Sequence, residues 1–440
     1  MTQEVNIGSL RDKRVLVKAL GCRTNLYEAE AIASAFESCG ATLIDEGPWD
    51  VAVLLSCSVT AQADRKCRQM VRRFRRFNPE GLVVAVGCWA QGLSEEDREE
   101  LMLDLVIGNR KKDQVVPLVA GLLSQGSVHV VRDNVMKDGH WESLSLDRPR
   151  LRTRAFLKVQ DGCDHFCSYC IIPFLRGKPV SRPWEGLKKE ILSVVDSGCP
   201  EVVLTGIHLG LYGRDGGPSL AELIERVGAI PGVLRIRLGS LEPFSIGDDL
   251  LASMRDVPQF CHHLHLPLQS GDDRILAAMR RGHTSSDYLR LLDRLRGALG
   301  EDVHISTDVL VGFPGEDDRA FKNTLQVLKD GAIGRVHGFP FSPREGTLAK
   351  SMADRPPRSV AEDRCREVIA LGEELLEIYS KRWIGGELPV MLEERSEGFV
   401  TGYTPHFLKV KASGDGDTSS IVKVRITSLL DGDLKGEVLS

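Results

Sequence analysis

Residues 159–177 read VQDGCDHFCSYCIIPFLRG, which places Cys163, Cys167 and Cys170 within eight positions, directly after the apolar run AFLKVQ at 155–160. The run has the length of a strand, so the thiols fall in the loop at its carboxyl end, where α/β barrels host their chemistry. Tetrahedral zinc would need a fourth ligand, and His165 qualifies only if a tight loop folds back on itself. A cubane iron–sulfur cluster normally takes four cysteines, so three leave one iron open to an outside ligand. Three buried structural thiols are the blandest reading of the triplet.

Beyond this loop, strand-like runs recur between amphipathic helices: EVVLTG (201–206), RIRLGS (235–240), HHLHLPL (262–268), HISTDVLVGF (304–313) and RVHGFPFS (335–342). With AFLKVQ they form six strand–helix units, the pattern of a partial (β/α)6 barrel over 151–380. Upstream, residues 12–128 alternate RVLVKALGC, the helical NLYEAEAIASAFESCG, VAVLLSC, a basic helix and LVVAVGC. That βαβαβ order makes a parallel α/β domain. The aperiodic polar stretch between the two, 129–150, reads as a linker. From Trp383 to Ser440 the helical period gives way to LPVMLEE, GFVTGYT, FLKVKA, IVKVRITSLL and LKGEVLS, five runs suited to a small β-barrel over 383–440.

The start of the chain, MTQEVNIGSLRDKRVLVKAL, has no secretory pattern, and no apolar run is long enough to span a membrane. The expectation is a cytoplasmic protein, where clustered cysteines are metal ligands rather than disulfides. Of the eleven cysteines, Cys22, Cys57 and Cys88 each end one apolar run of the N-terminal domain. Each alone would be a buried thiol, but a parallel sheet gathers three equivalent strand ends at one edge, where such folds bind cofactors. Cys39, Cys67, Cys199, Cys261 and Cys365 lie apart and read as inert small hydrophobes. With a net charge of -5, nucleic-acid binding would rest on local patches. One is RKCRQMVRRFRR (65–76), with seven basic residues and no acidic one, an RNA-contacting or merely solvated helix face. From Trp383 onward there are six Lys and Arg against nine Asp and Glu, so RNA contact there would fall to Tyr403, Phe407 and Lys409.

Eight segments, GCRTNLYEAE (21–30), SCSVTAQADRKCRQ (56–69), VGCWAQ (86–91), the 159–177 stretch, LTGIHLGLYGRDGG (204–217), HLHLPLQSGDD (263–273), TDVLVGFPGE (307–316) and FPFSPREGTLA (339–349), resemble in order the radical S-adenosylmethionine (SAM) methylthiotransferases. That family combines an N-terminal cluster domain, a radical SAM domain and a C-terminal TRAM domain. The resemblance implies two 4Fe–4S clusters. One on Cys163, Cys167 and Cys170 would be chelated by SAM, the radical source, and one on Cys22, Cys57 and Cys88 would supply or hold sulfur; a second SAM would give the methyl group. Tyr169 is implied to lie beside the adenine of SAM. The strand ends of the expected barrel offer Thr205, Gly206, Ser240, Glu242, Gln269 and Asp308 as further cofactor contacts, each with a loop or capping hydrogen bond as its plain alternative.

Within the family, GIHLGLYGRD and Tyr27–Glu28 most resemble members that act on threonylcarbamoyladenosine beside the tRNA anticodon. Members acting on isopentenyladenosine or a ribosomal-protein side chain are the same-class alternatives. A non-catalytic iron–sulfur protein that binds RNA or senses oxidants is the alternative from another class. The implied partners are the tRNA anticodon region, an electron donor such as flavodoxin or ferredoxin, and a sulfur source, with no membrane. Arg176 and Arg344 would offer bidentate forks to a carboxylate or phosphate, or else form surface salt bridges. Gly312, Pro314 and Gly315 would let backbone approach the cofactor, or simply turn the chain. The sequence departs from the family's usual text at Arg23, at Leu55–Ser56, at Gly239 and at His283.

Overall fold

The computed structural model describes residues 7–126, 130–137, 139–146 and 153–439. Six parallel strands, β1 (Arg14–Ala19), β2 (Thr42–Ile44), β3 (Val51–Ser56), β4 (Leu82–Gly87), β5 (Leu105–Ile107) and β6 (Val130–Val131), form the N-terminal sheet in the order β2-β1-β3-β4-β5-β6. Helices α1 (Arg23–Ser38), α2 (Ala61–Phe77), α3 (Cys88–Gly92), α4 (Glu95–Glu100) and α5 (Val115–Gln125) connect them. The sheet is apolar on both faces: Val51, Val53 and Leu55 pack into one core and Ala52 and Leu54 into another. This two-sided burial is why β3 reads as an unbroken apolar run.

The central domain carries β7 (Arg154–Lys158), a short pair β8 (Gln160–Asp161) and β9 (Val180–Ser181), then β10 (Glu201–Thr205), β11 (Arg235–Leu238), β12 (His263–His265), β13 (His304–Val311) and β14 (Arg335–Pro340). Two parallel three-stranded sheets, β11-β10-β7 and β12-β13-β14, are joined by bridges Ile236–Phe260 and Ser240–His265. The result is one six-stranded half-barrel, β7-β10-β11-β12-β13-β14, with two free edges. Its helices are α6 (Ile172–Arg176), α7 (Trp184–Asp196), α8 (Leu220–Gly228), α9 (Asp248–Asp256), α10 (Asp273–Ala278), α11 (Ser285–Leu299), α12 (Asp318–Asp330) and α13 (Arg358–Lys381). Strands β15 (Glu387–Ser396), β16 (Phe399–Tyr403), β17 (Lys409–Ser413), β18 (Ile421–Leu430) and β19 (Asp433–Val438) close a separate five-stranded barrel, the form expected of a TRAM domain. No helix among the described residues is long and apolar enough to cross a membrane.

The stretch expected as a linker, 129–150, is described only over 130–137 and 139–146; the rest of it lies outside the described residues. The described part is no loose tether. It adds β6 to the sheet and buries Val135, Glu142, Leu144 and Leu146 against its neighbours. Apolar side chains spaced through a polar text are hidden from a periodicity reading, because no single helix or strand face collects them.

The N-terminal domain closes the open side of the half-barrel by touching both free edges. At the β7 edge, Asn109 donates to the Leu175 carbonyl at 2.9 Å, and Arg110 to the Arg176 and Lys178 carbonyls at 2.8 and 2.7 Å. Just past β14, Arg344 donates to Asp64 at 2.6 Å and to Ser58 at 2.8 Å. The small barrel docks at the opposite, amino-terminal end of the half-barrel strands. There Arg235 donates to the Tyr403 and Pro389 carbonyls, and Arg237 to those of Pro405 and Thr404.

Candidate active site

Cys22, Cys57 and Cys88 follow β1, β3 and β4, three adjacent parallel strands, so in-register pairing brings their carboxyl ends to one edge. Two glycines make room. Gly21, at φ +102°, would put any Cβ 2.5 Å from the Cys57 Cβ, and Gly87, at φ +96°, turns the chain into α3. L-residues rarely adopt either conformation. Asn25 stands 3.8 Å from the Cys22 sulfur and ties Leu20 to Ser56 through its amide, at 2.8 and 3.0 Å. Ser56, a departure noted in the sequence, accepts the Ala90 amide at 3.2 Å and bonds the Val86 carbonyl, locking β3 to β4. Burial pushes the Cys57 thiol up to about 11.

The second thiol set lies in the loop after β8. Phe166, at φ +51°, reverses the loop, and Cys170 donates its amide to the Cys167 carbonyl at 3.0 Å. Ser168 fastens the loop to the half-barrel through the Ala278 and Met279 carbonyls, at 2.8 and 3.0 Å. Burial pushes Cys163 and Cys170 each up to about 12. A metal that takes thiolates would therefore release protons on binding. His165 is not poised as a fourth ligand: its Nε2 bonds the Arg280 carbonyl at 3.0 Å and its ring stacks on Phe244 at 4.8 Å. Arg281, which the sequence reading passed over, reaches within 3.5 Å of the Cys167 sulfur and pairs with Glu242. The text RRGHT around it carries no distinctive spacing, so only the fold reveals this position.

The six residues offered as cofactor contacts lie along the half-barrel. Thr205 ends β10, buried, with Gly206 after it; a Cβ at Gly206 would come 2.9 Å from the Gln160 side chain. Ser240 follows β11 at the surface, beside Glu242. Gln269, at φ +69°, hydrogen-bonds through its backbone to Asp308 and Leu310. Asp308 pairs with His265 Nε2 at 3.1 Å, and Ser306 links His265 at 2.9 Å to His263 at 3.0 Å. Tyr169 packs edge-on to Phe313, 6.5 Å between centroids, at the rim of a core formed with Ile275 and Met279.

Several expectations are corrected. Arg176 meets the protein's own carboxylates rather than a ligand's: it donates to Glu28 at 3.0 and 3.2 Å, to Asp161 at 3.0 Å, to Asn25 at 2.8 Å and to the Cys88 sulfur at 3.2 Å. This is a buried interdomain network, completed by Lys112, Lys158 and Glu142, and not a surface pair. Arg344 forms the salt bridge that was its plain alternative, with one guanidinium nitrogen on Asp64 and Ser58. Tyr27 and Glu28 belong to the same interface; the Tyr27 hydroxyl donates to the Leu144 carbonyl at 3.0 Å. Gly312 packs on α13, where a Cβ would meet Ala361 at 2.4 Å, and Glu316 pins the turn to Arg364; VGFPGE is thus a packed turn. Tyr403 and Phe407 are half-buried docking groups, Phe407 stacking on His263 at 5.0 Å, while Lys409 pairs with Asp433. In the basic helix, Arg68, Arg72 and Arg75 pair with Asp97, Glu100 and Asp104.

The two thiol sets are linked across this interface, because the five-residue α6 that leaves the Cys170 loop ends in Arg176, bonded to Cys88. A family model described as the Radical SAM superfamily matches residues 157–328, and one described as Uncharacterized protein family UPF0004 matches 14–108. The chain is 34% identical over 425 residues to the threonylcarbamoyladenosine tRNA methylthiotransferase MtaB of Thermotoga maritima, covering 95% of each. This chain belongs to the radical SAM methylthiotransferases. The tRNA-2-methylthio-N(6)-dimethylallyladenosine synthase of Syntrophotalea carbinolica is 33% identical, with 94% of this chain and 97% of that protein covered. The radical SAM methyltransferase TsrM of Kitasatospora setae shares the fold, at a TM-score of 0.55 and 14% identity over 74% of this chain and 73% of that one. As a radical SAM methylthiotransferase the chain is an enzyme of 4Fe–4S and SAM chemistry. Both thiol sets suit such groups in their chemistry, each with three cysteine sulfurs and a cationic donor at one of them.

Proposed function

We propose that this enzyme replaces the C2 hydrogen of N6-threonylcarbamoyladenosine, beside the tRNA anticodon, with a methylthio group, in the cytoplasm. The observation that carries the reading is the pairing of two three-cysteine sites, one at the sheet edge and one on the half-barrel loop, joined through Arg176. We assign one 4Fe–4S cluster to Cys22, Cys57 and Cys88 and another, with SAM on its open iron, to Cys163, Cys167 and Cys170. Bound there, the second cluster would supply the electron that cleaves SAM to methionine and a deoxyadenosyl radical, and the first the sulfur.

The chain's own residues do the positioning. Arg281 would place a positive charge beside Cys167, held in aim by Glu242. Thr205, Gly206, Ser240, Gln269 and Asp308, with Tyr169, would line the cofactor's path along the half-barrel. The N-terminal domain, by touching both free edges, would shut water away from a reactive radical. A loop offering three cysteines rather than four argues against a sensor, since a purely structural cluster would gain nothing from a missing protein ligand. The threonylcarbamoyl substrate follows the 34% identical relative. The electron donor, such as flavodoxin or ferredoxin, and the sulfur source complete the partners.

Nucleoside mass spectrometry of tRNA from a strain lacking the gene, its parent and a complemented strain tests this. Loss of methylthio-threonylcarbamoyladenosine with accumulation of its precursor is expected. Loss of the isopentenyl counterpart instead would keep the chemistry and overturn the substrate.

A further inference from the structure

Arg23 immediately follows Cys22 and enters the cleft where the N-terminal domain covers the half-barrel. Its guanidinium carbon lies 5.7 Å from the ring centre of Phe156 on β7 and 6.0 Å from that of Phe407. It remains solvent-accessible, and it makes no hydrogen bond or ion pair among the described residues. The neighbouring cations differ in this respect. Arg154 pairs with Glu201 and Glu393, Arg235 with Glu201, and Arg237 with Glu201 and two carbonyls of the small barrel. Around this floor, four guanidinium groups (Arg23, Arg154, Arg235, Arg237) therefore face three carboxylates, Glu201, Glu393 and Asp308, the last of them paired with His265. Three of those guanidinium groups lie within 6.0 Å of the Phe407 ring. Crowding by protein, then Arg154 and Arg237, lowers the pKa of Arg23, and Asp308 acts in the opposite sense without reaching ion-pair distance.

An excess of positive charge beside apolar rings, with one guanidinium still free to donate, is a binding site for an anion. We propose that Arg23 holds the carboxylate at the tip of the substrate's N6 threonylcarbamoyl group, and so selects that base over one bearing a neutral alkenyl chain. The inference rests on the proposed function. The reacting base must come beside the first thiol set, and because Arg23 adjoins Cys22, a substituent on its N6 would extend from there along the half-barrel interior toward Phe156 and Phe407. A threonylcarbamoyl group ends in a planar carboxylate that a guanidinium fork meets bidentately, whereas an alkenyl group would cover the fork and leave its donors unpaired. A backbone phosphate is the competing anion, but phosphates run along the outside of a folded RNA, and this site is floored by Phe156 and Phe407 inside the cleft.

The test uses the reconstituted holoenzyme and anticodon stem-loops carrying threonylcarbamoyladenosine, its carboxamide analogue, isopentenyladenosine or plain adenosine, with affinity read by fluorescence anisotropy. The wild type is expected to bind the carboxylate form about tenfold to hundredfold tighter than the carboxamide. Arg23→Gln should bring the two to parity, and Arg23→Lys should keep a reduced preference. Circular dichroism and iron content check that each variant is folded and loaded; if Arg23→Gln fails this check, the wild-type ratio and Arg23→Lys decide. An Arg23→Gln enzyme that keeps the wild-type preference, a wild type that shows none, or an equal loss of affinity for all four RNAs, pointing to a phosphate contact, would each overturn the assignment. The proposed function would survive any of these results if the wild type still methylthiolates the threonylcarbamoyl stem-loop, and would fail if only the isopentenyl stem-loop reacts.

Discussion

Replacing Arg176 by Met should loosen the contact between the N-terminal domain and the half-barrel. In the native protein three cations, Lys112, Lys158 and Arg176, meet three carboxylates, Glu28, Glu142 and Asp161, all of them almost fully buried. Burial opposes ionisation of Glu28 and Asp161, and the surrounding cations overcome it, holding both below the ordinary carboxylate range. Arg176→Met leaves two cations against three carboxylates and removes the bonds to Asn25 and Cys88. Breaking one partner out of a buried ionic cluster costs about 3–5 kcal/mol. For a domain of this size that is a melting shift on the order of 10 °C. Differential scanning calorimetry under anaerobic conditions measures it, and hydrogen exchange at α1 and α6 should show the opening locally. The carboxylates are depressed, so their contribution is complete above their unfolded pKa values and is lost as pH falls below them. The gap between wild type and variant should therefore narrow in acid. A variant that melts within about 2 °C of wild type at pH 7 would refute the claim that this network holds the domains together.

Alanine at Cys22, Cys57 or Cys88 should remove one cluster's worth of iron, and alanine at Cys163, Cys167 or Cys170 the other. Alanine at Cys67, which bonds the Cys57 carbonyl from α2, should leave iron content whole by colorimetric assay. Gly21→Ala, forced against Cys57 from a left-handed backbone, should lose the first cluster while keeping the absorbance of the second. His304, buried against Tyr379 and bonded to the His406 carbonyl, is pushed down to about 3 by burial and so stays neutral in the folded protein. The unfolded chain takes up that proton first, so stability should fall as pH drops below about 6.5, by up to ~1.4 kcal/mol per unit from this group, and His304→Gln should flatten urea-denaturation midpoints over that window.

Much of the architecture could be read along the chain. The runs ending in Cys22, Cys57 and Cys88 are the strands of one sheet edge, the six runs from AFLKVQ to RVHGFPFS are the half-barrel, and the five after Trp383 close the small one. Backbone periodicity and loop chemistry are local, so strand identity and the placing of three thiols in one loop need only neighbouring residues. What Arg176, Arg344, Tyr403 and Phe407 touch was not readable in this way. A guanidinium in sequence admits a ligand, a phosphate or a protein carboxylate equally well, and Arg176 and Glu28 stand 148 positions apart. Their meeting depends on how one domain seats on another, which is decided by the shape and charge of whole surfaces. The same holds for Arg23. Its place beside Cys22 is sequence, but its lack of a partner, in a cleft with more guanidinium groups than carboxylates, is a property of the closed tertiary structure, where every nearby acid is already engaged by a cation or a histidine held closer to it.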